Sequence, residues 1–135
     1  MKGDENSVLF DQEVYQSAVG RLLYLSTRTR PDIAFAVGTI AKFTSRPTET
    51  HWTAVKHLLR YIAGTREFGL LFTRSDSSDC TGFSDADWAG DQDDRKSTSG
   101  YLFRVGNATV SWGSKKQSCV ALSTTEAEYM SLSTC

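Results

Sequence analysis

Seven aspartates fall between Asp76 and Asp94, and the stretch Phe83-Ser84-Asp85-Ala86-Asp87-Trp88-Ala89-Gly90-Asp91 is the richest in groups able to do chemistry. Carboxylates at this density either solvate a turn-rich loop or hold a hard cation through their oxygens. A calcium loop is excluded by spacing. Asp85, Asp87 and Gly90 match positions one, three and six of an EF-hand, but position five is Ala89 and position twelve is Lys96. Both places need an oxygen ligand. The alternative puts Asp85 at the end of a strand, aimed across a sheet at a carboxylate on the closing helix. Two acids compete for that role. Ser123-Thr124-Thr125-Glu126 is a capping box, which occupies Glu126 with the Ser123 N–H. Glu128 lies about 200° further round the helix and faces the other way. Spacing alone does not say which face meets Asp85; capping logic favours Glu128 as the acid left for chemistry.

The elements that must position these groups differ between the two halves of the chain. In the first half, Tyr15, Ala18, Val19, Leu22 and Leu25 recur at helical spacing, as do Ile33, Ala36, Val37, Ile40 and Phe43. Pro31 suits the first turn of the second helix. Trp52, Val55, Leu59 and Ile62 form a third stripe, with Thr48 as N-cap and Gly64 as a left-handed stop. Three such stripes are a shared helical core rather than a cofactor box. From Phe68 the period falls to two. Strand candidates are residues 68–73, 81–85, 100–105, 108–112 and 119–122, with Gly106-Asn107 as a two-residue hairpin turn. Residues 75–79 are the polar connector, and a helix opening at Ser123 carries Ala127, Tyr129, Met130 and Leu132.

The chain has 135 residues, enough for one domain or two small modules. With 39% hydrophobic residues, seven Phe, five Tyr and three Trp it is no disordered tail. No apolar run is long enough to span a membrane, and residues 1–13 hold no apolar leader. Cys80, Cys119 and Cys135 are odd in number and lack a C-x-x-C, which excludes a disulfide scaffold and a zinc motif. Free thiols place the chain inside the cell, with cytoplasm and nucleus undistinguished. The net charge of −1 hides an asymmetry: residues 1–75 carry ten Lys/Arg and seven Asp/Glu, residues 76–135 five and nine. The basic half is the part suited to a polyanion.

Several ordered motifs then carry a family resemblance. They are Tyr15-Gln16-Ser17-Ala18-Val19-Gly20-Arg21-Leu22-Leu23-Tyr24-Leu25, Thr29-Arg30-Pro31-Asp32-Ile33-Ala34-Phe35-Ala36-Val37, His51-Trp52 and Leu59-Arg60-Tyr61. Further on come Gly64-Thr65 with Gly69-Leu70, Ser84-Asp85-Ala86-Asp87-Trp88-Ala89-Gly90-Asp91, Arg95-Lys96-Ser97-Thr98-Ser99-Gly100-Tyr101 and Ser123-Thr124-Thr125-Glu126-Ala127-Glu128-Tyr129. Together they resemble the Pol polyprotein of copia-type LTR retrotransposons, over nearly everything from Tyr15 to Leu132.

The resemblance implies an α+β chain. Residues 1–77 would be a helical, thumb-like end of the reverse transcriptase, and residues 78–135 the three antiparallel strands and first helix of a truncated ribonuclease H-like fold. In that family four carboxylates on two divalent metals, normally Mg2+ with Mn2+ as substitute, cut the RNA strand of an RNA–DNA hybrid. Asp85 and Glu128 match the first two carboxylates, as catalytic groups and metal ligands. Arg95, Lys96, Lys115 and Lys116 would contact hybrid phosphates. Arg21, Arg28, Arg30, Lys42, Lys56 and Arg60 would lie along template–primer phosphates. Expected partners are nucleic acid, the remainder of the polyprotein, and a second chain through an unpaired strand edge; no membrane is expected. With two of four carboxylates the chain is expected to be inactive alone, and the rival reading is a non-catalytic nucleic-acid-binding or structural remnant.

Overall fold

A computed structural model describes residues 8–74, 78–91 and 93–134. Contacts divide the chain into two compact units, Lys2–Gly69 and Leu70–Cys135. Of the connector expected over 75–79, residues 75–77 lie outside the described residues, as does Cys135.

The first unit is all helical: α1 (Gln12–Arg28), a 3-10 turn (Pro31–Ile33), α2 (Ala34–Ala41) and α3 (Glu49–Gly64). Asp11 caps α1 through a carboxylate oxygen that accepts from the N–H groups of Glu13 (2.9 Å) and Val14 (3.1 Å). The core is Tyr15, Val19 and Leu22 of α1, Ile33, Val37 and Ile40, and Val55 and Leu58 of α3. Each such side chain contributes about 1.5–3 kcal/mol on leaving water. The stripes of α1 and of the second segment are those of the sequence, although Pro31 opens a 3-10 turn rather than α2 itself. The third stripe is corrected by one residue. Leu58 is buried and Leu59 is 42% exposed, because the burying side runs Val55, Leu58, Ile62.

Gly64 does not end α3 in the left-handed region. The cap is Thr65 at φ −125°, whose hydroxyl donates to the Tyr61 carbonyl at 2.8 Å. Residues 68–73, a strand candidate, form neither strand nor helix, since no neighbouring strand pairs with them. One feature gives no periodic signal at all. Residues 8–10 run antiparallel to residues 47–49, with Phe10 N–H donating to the Pro47 carbonyl (3.0 Å) and Glu49 N–H to that of Val8 (3.1 Å).

The second unit is a meander, β1 (Cys80–Asp87), β2 (Thr98–Val105) and β3 (Ala108–Lys116), in the order β1-β2-β3, followed by α4 (Thr124–Ser133). Both pairings are antiparallel, with a register shift between Phe103 and Arg104. The β2–β3 hairpin turns at Gly106-Asn107 as expected, and of the two only Gly106 takes a positive φ (56°). Residues 119–122 are no strand. Their backbone groups serve side chains instead: the Ala121 carbonyl accepts from Trp88 Nε1 (3.2 Å) and the Leu122 N–H donates to Glu126 (2.6 Å). The chain is thus α+β, four α-helices and a three-stranded antiparallel sheet among the described residues.

Candidate functional site

The register of β1 against β2 decides which way Asp85 points. Ser84 and Ala86 stand opposite Tyr101 and Ser99. Ser99 Oγ accepts from Gln117 Nε2 (2.9 Å), which also donates to the Ala127 carbonyl of α4 (2.9 Å). α4 therefore covers the face of Ser84, Ala86 and Ser99. Asp85, opposite Gly100, projects from the other face, because successive side chains alternate. A Cβ on Gly100 would meet only the carbonyls of Asp85 and Gly113, at 4.0 Å. This corrects the expectation that Asp85 aims across the sheet at the closing helix.

The helix is tied to Asp85 through the backbone. Buried Ser131 donates to the Asp85 carbonyl at 2.8 Å, with the Gly100 carbonyl at 3.5 Å. Only Ala127 and Ser131 of α4 are buried, four residues apart on one face; such small side chains let the helix approach the sheet closely. Glu128, one turn before Ser131, is exposed, as is Asp85. Glu126 is structural, with one refinement. Ser123 Oγ accepts from the Glu126 N–H (3.1 Å), but the Glu126 carboxylate takes the N–H of Leu122 rather than that of Ser123.

Three further aspartates, Asp87, Asp91 and Asp94, are committed elsewhere. β1 runs on to Asp87, so Asp85 and Asp87 share a face. The Asp87 carboxylate accepts from the Thr98 N–H and lies over Gly90, where a Cβ would overlap it. Asp91 and Asp94 hold Lys116 Nζ at 2.5 and 2.8 Å. Hydrogen bonding to these two acids raises the Lys116 pKa, and the bond from Lys116 lowers that of Asp94. Two residues of this loop, Ala89 (φ 53°) and Arg95 (φ 57°), sit in the left-handed region. Among the described residues no group of three or more His, Cys, Asp and Glu side chains converges as a metal cage. Asp85 and Glu128 are hard oxygen donors of the right kind, but they make no complete divalent-metal site, and no catalytic step is derived through one.

The basic residues sort by environment. Lys116 is spent on Asp91 and Asp94, and Lys96 Nζ donates to the Ser118 carbonyl at 2.7 Å. Arg30 is 4% exposed. It makes a bidentate bond to Asp32 (2.9 and 2.7 Å) and reaches the Thr65 carbonyl (3.1 Å) and hydroxyl (2.7 Å). Its guanidinium lies 5.7 Å from the Tyr61 ring and 5.8 Å from that of Phe68. Facing inward, it presents no charge to a phosphate. Arg21, Arg28, Lys42, Lys56 and Arg60 are exposed in the first unit, Arg95 and Lys115 in the second. Sequence reasoning missed the Arg30 clasp, although Arg30-Pro31-Asp32 signals it: a bidentate partner two residues from an arginine, across a turn-forming proline.

The fold and exposed acids define the class first: a two-unit α+β chain, helical then β-meander, with carboxylates on its edge strand and closing helix. No protein-family model and no solved structure matches it. Curated relatives do. The chain is 54% identical over 116 residues to the retrovirus-related Pol polyprotein from transposon TNT 1-94 of Nicotiana tabacum. It is 47% identical over 124 residues to that from transposon RE1 of Arabidopsis thaliana. These alignments cover 86% and 92% of the chain but only 9% and 8% of the polyproteins. A third relative, secreted RxLR effector protein 161 of Plasmopara viticola, is 56% identical over 119 residues, 88% of this chain and 84% of its own length. The chain belongs to the retrovirus-related Pol polyproteins of copia-type transposons and corresponds to one segment of them.

Proposed function

We propose that this segment joins the helical end of a reverse transcriptase, residues 1–77, to the first part of a ribonuclease H-like domain, residues 78–135, which acts on the RNA strand of RNA–DNA hybrids within the larger polyprotein. The observation that carries the reading is the 54% identity to a transposon Pol polyprotein over 86% of the chain. The exposed acids support it: Asp85 on an edge strand, and Glu128 on the helix whose Ser131 grips the Asp85 backbone. In this reading they match two of the carboxylates that would hold Mg2+, with Mn2+ as substitute, although Asp85 here projects from the face away from the helix that carries Glu128. The chemistry that Asp85 and Glu128 would draw from such ions, when bound, is activation of a water and stabilisation of the leaving oxygen. Arg21, Lys56, Arg60, Arg95 and Lys115 contact phosphates, while Arg30, Lys96 and Lys116 maintain the fold. No helix among the described residues is long and apolar enough to cross a membrane. The working place is the cell interior, cytoplasm or nucleus.

The test is made in the full polyprotein. Asp85→Asn and Glu128→Gln should each abolish hybrid cleavage and leave DNA synthesis intact. Cleavage at the unmodified rate in both variants rules the assignment out. A second reading, a small non-catalytic protein built on the same segment, is favoured by the Plasmopara relative, most of whose length the segment covers. It calls for salt-sensitive nucleic-acid binding without cleavage in any metal.

A further inference from the structure

The first unit contains a buried histidine that the proposed function leaves unused. His51 is 4% exposed, at the third position of α3. Its Nδ1 accepts from the main-chain N–H of Thr48 (3.2 Å) and lies 3.0 Å from the Thr48 hydroxyl. Because an N–H points at it, Nδ1 carries no proton, and the neutral ring holds its proton on Nε2. Its face stacks on Phe43, with centroids 3.9 Å apart and planes 13° from parallel. The imidazole thus does the work that Glu or Gln does in an ordinary capping box.

Thr48 is also where the N-terminal arm is fastened. Leu9 bridges to Thr48, the flanking Phe10 and Glu49 amides donate across the pair, and Phe10 stacks on Trp52 at 4.5 Å. We propose that His51 is a proton-operated latch, whose neutral ring holds residues 8–10 against the start of α3 and whose protonation lets the arm go. Protonation turns the acceptor of Thr48 into a donor facing a donor. It also places a cation in the first turn of a helix, the positive end of its dipole. Charged groups on the packed segments are Asp11 beside the arm, Lys42 and Arg46 in the turn after α2, and Glu49 on α3, all exposed. None is buried beside the ring to compensate it.

Burial holds the His51 pKa below its ordinary 6.5 in the closed state. The closed arm is therefore fully favoured above the ordinary value and loses ground as pH falls toward the depressed one. Within that window the open population rises by up to about tenfold per pH unit.

The experiment follows the backbone amides of Phe10, Thr48 and Glu49 by NMR in the full chain between pH 7.5 and 5. Three chains are compared: the native one, His51→Gln, whose amide oxygen keeps the capping box, and His57→Gln as the control on the exposed histidine. The expected result is one shared acid step at the three amides in the native chain and in His57→Gln, absent in His51→Gln. The ring nitrogen shifts at pH 7.5 should show an unprotonated Nδ1. The same step in His51→Gln, no step in the native chain, or a proton on Nδ1 overturns the proposal.

Discussion

Arg30 shows how little a residue's type says about its task. A guanidinium next to a proline in a basic half invites a phosphate, yet its donors close on Asp32 and on Thr65 at the end of α3. The Tyr61 hydroxyl adds a bond to Asp32 at 3.0 Å. Removing the guanidinium strands the Thr65 carbonyl and leaves the Asp32 carboxylate with the Tyr61 hydroxyl in place of its ion pair, so Arg30→Met should cost about 1–3 kcal/mol, measured by urea unfolding. Arg30 holds the Asp32 pKa below its ordinary 3.8. The carboxylate's contribution is therefore complete above that value and is lost as pH falls through the depressed one. Asp32→Asn should flatten the acid limb of a stability–pH curve; an unchanged limb would show that the clasp is not what titrates. Glu126 and Glu128, two residues apart, separate in the same way. Glu126→Gln should cost at most about 1 kcal/mol, by loss of the charge on the Leu122 N–H. Glu128→Gln should leave the thermal midpoint unchanged, having no structural bond assigned to it.

At the scale of elements, the adjacent leucines of α3 make a direct comparison. Leu58→Ala opens a cavity in the helical core and should cost about 2–4 kcal/mol. Leu59→Ala, on the exposed side, should stay within about 1 kcal/mol. Equal losses would mean that α3 is rotated from the orientation described. In the β-unit, Gly82 and Gly113 underlie the rings of Phe103 and Tyr101, where a Cβ would come within 2.7 Å of each ring. The loop from β1 to β2 is held by Asp87 on Thr98 and by Asp91 and Asp94 on Lys116. Gly90→Ala should displace the Asp87 carboxylate and cost about 1–3 kcal/mol, since the Thr98 N–H loses its partner.

The whole molecule combines a basic helical unit with an acidic β-unit whose first strand, β1, is one of the two edges of the described sheet. An open edge strand is a template for another chain. At concentrations used for light scattering the chain should self-associate, and a Lys placed at Phe83, 55% exposed on β1, should reduce this. A monodisperse monomer would contradict it. Binding to an RNA–DNA hybrid should be weak and indifferent to sequence, falling on the order of 10–100-fold between 50 and 200 mM salt. Arg30→Met should leave that salt slope unchanged, while Arg21→Ala with Arg60→Ala should reduce it. The chain alone should release no cleaved RNA with Mg2+ or Mn2+, since among the described residues no three such ligands converge as a cage.

The sequence by itself determined everything that repeats at a fixed local period or sits in a fixed local frame. The stripes of α1 and α2, the hairpin at Gly106-Asn107, the Ser123–Glu126 cap and the Pol motifs all depend on residues within a turn or two of each other. Tertiary structure decided what depends on partners distant in the chain. Leu58 displaced Leu59 because the core lies on one side of α3, and residues 68–73 and 119–122 stayed out of the sheet because a strand exists only where a neighbour pairs with it. Arg30 turned inward because Thr65, 35 residues on, offered a carbonyl and a hydroxyl. Asp85 faces away from α4 for the same reason. The β1–β2 register fixed its face, and register is a relation between two strands that neither carries alone.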